Sequence, residues 1–160
     1  MVAVFTGMAI YAADIDWALR DGEDFPRGRY SRAHRISFDG GVEMPASASP
    51  HVVGKWADKA AVDPEEMLVA ALSSCHMLTF LHIARLAGFL ALRYQDHAEG
   101  VMGEIAPGRL AVTKVVLNPL VEWSGPAPDA AKWDEMHHAA HAECYIANSV
   151  RTEVSVAKPG

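Results

Sequence analysis

Cys75, in the stretch VAALSSCHMLTFL, and Cys144, in HHAAHAECYIANS, are the two cysteines of this 160-residue chain. Two thiols brought together from two packed helices can run a redox cycle. One thiolate attacks the O–O bond of a peroxide and becomes a sulfenic acid, and the other thiol condenses with it to a disulfide. Little of an ordinary thiol is ionised at pH 7, so this chemistry needs a cation beside the first sulfur, an acceptor to orient that cation, and apolar walls. Arg32 is the candidate cation and Glu65 its candidate partner. Arg35 is the competing choice for the arginine.

Two other readings use the same residues. Free cysteine is among the most buried residue types, so an apolar helix alone predicts an inert thiol. His137, His141 and Cys144 fall at i, i+4 and i+7 of one helical face. With Cys75 or His76 as a fourth ligand they make a set that zinc accepts. That set spans nearly two turns, and one ion would need unusual side-chain reach to use both ends. A non-catalytic metal-binding or redox-sensing dimer built on Cys144, His137 and His141 is therefore the alternative.

These residues must be held by elements. Tyr30 to Phe38 alternates like a strand, with Tyr30, Arg32, His34, Ile36 and Phe38 on one face and Arg35 on the other. Asp39 to Gly41 is a turn signal, and Val42 to Met44 begins a returning strand. PASASPHVVGKWADKAA reads as a long ordered loop, with Trp56 suited to line a pocket entrance. A helix follows from Pro64 to Ala87, with Asp63 as N-cap, Pro64 at the first helical position, Glu66 completing a capping box and Gly88 as the stop. Its broad apolar surface makes it central, with Cys75 in its middle. LRYQDHAEGVMGEI predicts a strand and a turn around Gly100, and RLAVTKVVLNPLVEW another strand with an irregularity. Asp129 caps a second helix over Ala130 to Ser149, and a strand from Val150 to Ala157 closes the chain.

The order of strands, long helix, strands, helix and strand is an α+β pattern without βαβ regularity. The chain is 51% hydrophobic and 21% charged, ordinary for one globular domain over residues 1–160. Its net charge of -6 gives no reason to expect nucleic acid or an anionic membrane as partner. There is no GxGxxG, no P-loop and no basic leader, so neither nucleotide binding nor secretion is expected and the cytoplasm is the default location. No cofactor and no metal is called for by the redox reading. His34 is read as a cross-strand hydrogen bonder or pocket liner, His76 as structural or at a dimer interface, and His138 as solvated or interfacial.

DPEEMLVAALSSCHMLTFL, with RYSRAHRISFDGG before it and HHAAHAECYIANSV after it, resembles the OsmC/Ohr family of thiol-dependent peroxidases. The resemblance covers about Trp17 to Val156, leaving residues 1–16 as an N-terminal extension. It implies an OsmC-like α+β fold in which a curved, antiparallel-rich sheet packs on long central helices of an intertwined homodimer. It implies reduction of organic hydroperoxides and re-reduction by a dithiol, in some members a lipoylated protein. Carried over by position, Cys75 matches the peroxidatic cysteine, Cys144 the resolving one, Glu65 the family glutamate and Arg32 the catalytic arginine. His76, where many members have phenylalanine or a similar residue, is a departure that marks a separate branch.

Overall fold

The computed structural model describes residues 8–158. The chain divides into two compact units, one up to Pro64 and one from Glu65 onward. In the first unit β1 (Ala13–Asp16), β2 (His34–Phe38) and β3 (Glu43–Ala46) form an antiparallel sheet in that order. The hairpin at Asp39–Gly41 is present as expected, with Gly41 at φ +80° and the Phe38 amide donating to the Val42 carbonyl at 3.0 Å. β2 starts four residues later than its alternation predicts. Tyr30 to Ala33 are instead tied into a turn region: Arg29 bridges back to Asp24, Glu23 accepts from the Ser31 amide, and Ser31 Oγ accepts from the Ala33 amide. A short helix α1 (Pro50–Val53) and a 3₁₀ turn ending at Trp56 interrupt the expected loop.

The second unit is organised on α2 (Pro64–Leu86). Its C-terminus is closed by Gly88 at φ +86°, with the Gly88 amide on Arg85 and the Phe89 amide on Ala84, so the last carbonyls are satisfied where only glycine adopts the backbone easily. One stripe at four-residue spacing, Leu72, His76, Phe80 and Ala84, is buried. Its upper part packs with Trp133, Met136 and Ala140 of α3 (Ala130–Glu143), and its lower part against Val115 and Leu117. By length and composition α2 is also apolar enough to cross a bilayer.

Four strands lie between α2 and α3: β4 (Leu90–Asp96), β5 (Glu99–Ala106), β6 (Arg109–Leu117) and β7 (Pro119–Ser124). β4 pairs with β7, β5 with β6, and the last strand, β8 (Glu153–Val156), runs parallel to β6. Gly100 lies inside β5 rather than at a turn, and the run read as one irregular strand is two. Pro119 has no N–H to continue the ladder of β6, and it opens β7 in a new pairing with β4.

The α+β class is correct, but the expected curved sheet on long central helices is not what forms. Among the described residues the strands fall into three separate sheets, and α2 is the one long helix, since α3 ends at Glu143.

Candidate functional site

Cys75 and Cys144 are brought together. Cys75 is half-buried in the middle of α2, and Cys144 is 1% exposed at the C-cap of α3, with its backbone turned out of the helix at φ -73°, ψ 110°. Their side chains are close enough for the Cys75 thiol to act directly on that of Cys144. Cys144 is pinned on three sides: its amide donates to His141, its carbonyl accepts from Asn148, and its Sγ accepts from the Ala147 amide at 3.4 Å. Burial, then the adjoining Cys75 thiol, pushes the Cys144 thiol up, against a smaller downward pull from the Ala147 amide. Both cysteines are free thiols.

α2 is anchored two residues before Cys75. Ser73 Oγ donates to Asp96 at the end of β4, and the other oxygen of Asp96 accepts from the Asn118 amide. The Cys75 carbonyl accepts from Thr79 Oγ1 at 3.0 Å. Asp129 caps α3 as expected, accepting from the Lys132 amide at 2.8 Å.

Beside the thiols, His76 and His137, which the sequence offers as members of one metal set, are instead paired with each other. His76 Nε2 and His137 Nδ1 are 2.8 Å apart, with ring planes parallel to within 2° and the two residues 1% and 4% exposed. Phe80 stacks on His137 at 4.0 Å and Trp133 leans on it at 4.3 Å. Burial lowers His76 to about 4, helped by repulsion from His141 and opposed by Asp96. Burial and then His76 lower His137 to about 3, so both rings are neutral at pH 7. His76 Nδ1 and His137 Nε2 have no hydrogen-bond partner. A signal was available: His76 is four residues from both Leu72 and Phe80, so it occupies the core stripe.

The alternative metal set does not assemble. His141 is exposed while His137 and Cys144 are buried, and no group of three or more His, Cys, Asp or Glu side chains among the described residues is placed to hold a metal ion. His138 is exposed, as expected.

Glu65 is half-buried on the first turn of α2. Ten residues of helix separate it from Cys75, about 15 Å along the axis, so the two do not meet within α2. Arg32 belongs to the first unit, where it precedes β2, donates to the Tyr30 carbonyl and lies 3.4 Å over the Tyr30 ring. It lines a cavity of about 440 Å³ with Trp17, Phe25, Tyr30 and His34 among its walls. Trp17, Phe25 and Tyr30 pack ring against ring with centroids 4.6–5.9 Å apart. Trp56 is not among the lining residues; its carbonyl accepts from the Arg32 amide instead. His34 lines the cavity and its Nδ1 lies 2.9 Å from the Arg32 carbonyl. Arg35 points to solvent, paired with Asp16 at 3.1 Å and near Glu43 at 4.0 Å.

A long helix carrying one thiol, a second helix ending on the other, and paired strands between them in the sequence define an OsmC-like fold. The OsmC-like protein family matches residues 57–157, and the chain belongs to that family. An OsmC-like protein of unknown function from Vibrio cholerae O1 biovar eltor is 49% identical over 94% of this chain and 99% of that one, with a TM-score of 0.89. An organic hydroperoxide resistance protein from Elizabethkingia anophelis shares the fold at 17% identity and a TM-score of 0.70, covering 96% of this chain and 99% of that chain. One from Legionella pneumophila does so at 15% identity and 0.66, covering 94% and 98%. No curated protein matches the sequence.

Proposed function

We propose that the protein is a thiol-dependent peroxidase that reduces organic hydroperoxides to alcohols. The observation that carries this reading is the adjoining pair of free thiols, Cys75 on α2 and Cys144 at the end of α3, in a chain of the OsmC-like family. Cys75, the more accessible thiol, is the attacking group. Its thiolate displaces alkoxide from the hydroperoxide, the alkoxide takes a proton and leaves as alcohol, and Cys75 becomes a sulfenic acid. The Cys144 sulfur then attacks that sulfenic sulfur. Its proton and the sulfenic hydroxyl leave as water, and the Cys75–Cys144 disulfide forms. A dithiol reductant, such as a lipoylated protein, regenerates both thiols by exchange.

Arg32 is the group in this reading that favours the thiolate and the charge growing on the leaving oxygen, and Glu65 is its orienting carboxylate. A second copy of the chain, covering apolar side chains such as Leu78 and Leu86 that α2 leaves exposed, belongs to the same reading. The test is consumption of cumene hydroperoxide with a dithiol supplied. Cys75→Ser is expected to abolish turnover, and normal consumption by that variant would overturn the assignment.

A further inference from the structure

We infer that the His76–His137 pair is a positioning device that holds Cys75 and Cys144 at disulfide-forming distance. This rests on the reading that those two thiols form a disulfide. Both pairs join the same two helices. His76 follows Cys75 directly on α2, and His137 lies two turns before Cys144 on α3. The next rung along the antiparallel helices is Phe80 against Trp133, with centroids 5.5 Å apart.

The two rungs differ in what they fix. An apolar contact such as Phe80–Trp133 tolerates sliding and rotation of one helix on the other. A 2.8 Å bond between parallel rings does not, because distance and direction are both set at once. Disulfide formation is demanding in the same way, since Cα separations and side-chain directions outside a narrow range leave the sulfurs unable to bond. A rung one residue from one thiol fixes the helix rotation that aims it.

The pair is also expensive as packing. One of the two neutral rings must donate to the other, which leaves an open donor at one end and an open acceptor at the other, whichever tautomers are present. Those ends are His76 Nδ1 and His137 Nε2, both buried without a partner. Apolar side chains of similar volume would avoid that desolvation penalty. A stripe otherwise made of Leu72, Phe80 and Ala84 therefore carries a ring that weakens the core and sharpens the alignment.

The experiment equilibrates the full-length protein with reduced and oxidised glutathione and measures the Cys75–Cys144 disulfide by the mass shift of thiol alkylation. His76→Leu, His137→Leu and the double variant are expected to lower the disulfide equilibrium constant by about five- to tenfold, the scale of one lost hydrogen bond's alignment. His76→Gln and His137→Asn place an amide near the bonded nitrogen and are expected to stay within roughly threefold of the parent. The double leucine variant leaves no half-satisfied ring, so it is the arm that remains folded if a single variant does not. A double variant with native circular dichroism and the parent's equilibrium constant would overturn the positioning role. Failure of the parent itself to form the disulfide would instead overturn the reading on which it rests.

Discussion

The Ala147 amide donates to Cys144 Sγ at 3.4 Å. That donor pulls the Cys144 thiol down, but burial and then the neighbouring Cys75 thiol push it up more strongly. The two thiols are unequal as a result. Cys144 is held protonated and enclosed, whereas Cys75 is half-open to solvent. Iodoacetamide is expected to modify Cys75 at least about tenfold faster than Cys144, since alkylation follows thiolate fraction and access. Mass mapping after partial modification at pH 7 checks this, and prior labelling of Cys144 would reverse the assigned roles.

Arg32 and Arg35 are three residues apart and differently engaged. Arg32 lines the aromatic cavity and lies on the Tyr30 ring, whereas Arg35 is at the surface with Asp16. If Arg32 stabilises the charge of the attacking and leaving groups, Arg32→Ala lowers peroxide consumption by about 10²–10³-fold, the range for loss of such a donor. Arg35→Ala breaks an exposed ion pair and is expected to change stability by no more than about 1 kcal/mol and turnover little. Steady-state rates of both variants with an organic hydroperoxide separate the two arginines. Equal losses, or a larger loss for Arg35→Ala, would move the role.

Much of this arrangement was legible in local chemistry. Pro64, Gly88 and Asp129 mark helix ends by backbone rules that act within a few residues, and the structure places the ends there. The split between β6 and β7 needed more weight on Pro119 than on the β-branched run around it. Cys75 and Cys144 suggested a common site, but their pairing depends on how α2 crosses α3, which spacing along the chain does not specify. His76 and His137 stand out in the sequence as members of one metal set, but not as partners of each other. Only the four-residue steps to Leu72 and Phe80, and from Trp133 to His137, reveal that both lie on core faces. The single curved sheet came from resemblance alone, and no residue pattern had called for it.

The histidine pair sets an acid limit on stability. In the unfolded chain each ring takes up its proton near the ordinary value of 6.5, whereas in the folded protein His76 does so only near 4 and His137 near 3. Between pH 6.5 and 4 the unfolded state binds protons that the folded state refuses. Stability is therefore whole above pH 6.5 and falls as the pH drops, by about 1.4 kcal/mol per pH unit for each ring. Urea unfolding at pH 7, 6 and 5 is expected to show this loss. The double variant His76→Leu with His137→Leu should be flatter over that window, and an equally steep loss in it would place the acid sensitivity elsewhere.

Gly100 in β5 offers a test of how tightly the sheet is laid on α2. A Cβ built at this position would stand 2.6 Å from Val69 Cγ2 and 3.4 Å from Val112 Cγ1. The backbone at Gly100 is not in the left-handed region, so the effect of Gly100→Ala is one of space and not of torsion. Val69 is β-branched and held on a helix, which leaves it few rotamers by which to retreat. The added methyl must push β5 away from α2 at the place where Val69 meets Val115 and its neighbours. Overpacking of this kind costs about 1–3 kcal/mol. For a chain of this size that lowers the thermal midpoint by roughly 2–4 °C per kcal/mol, measurable by calorimetry. Gly100→Ala with an unchanged midpoint would mean that β5 and α2 are less closely apposed than their Gly100–Val69 contact requires.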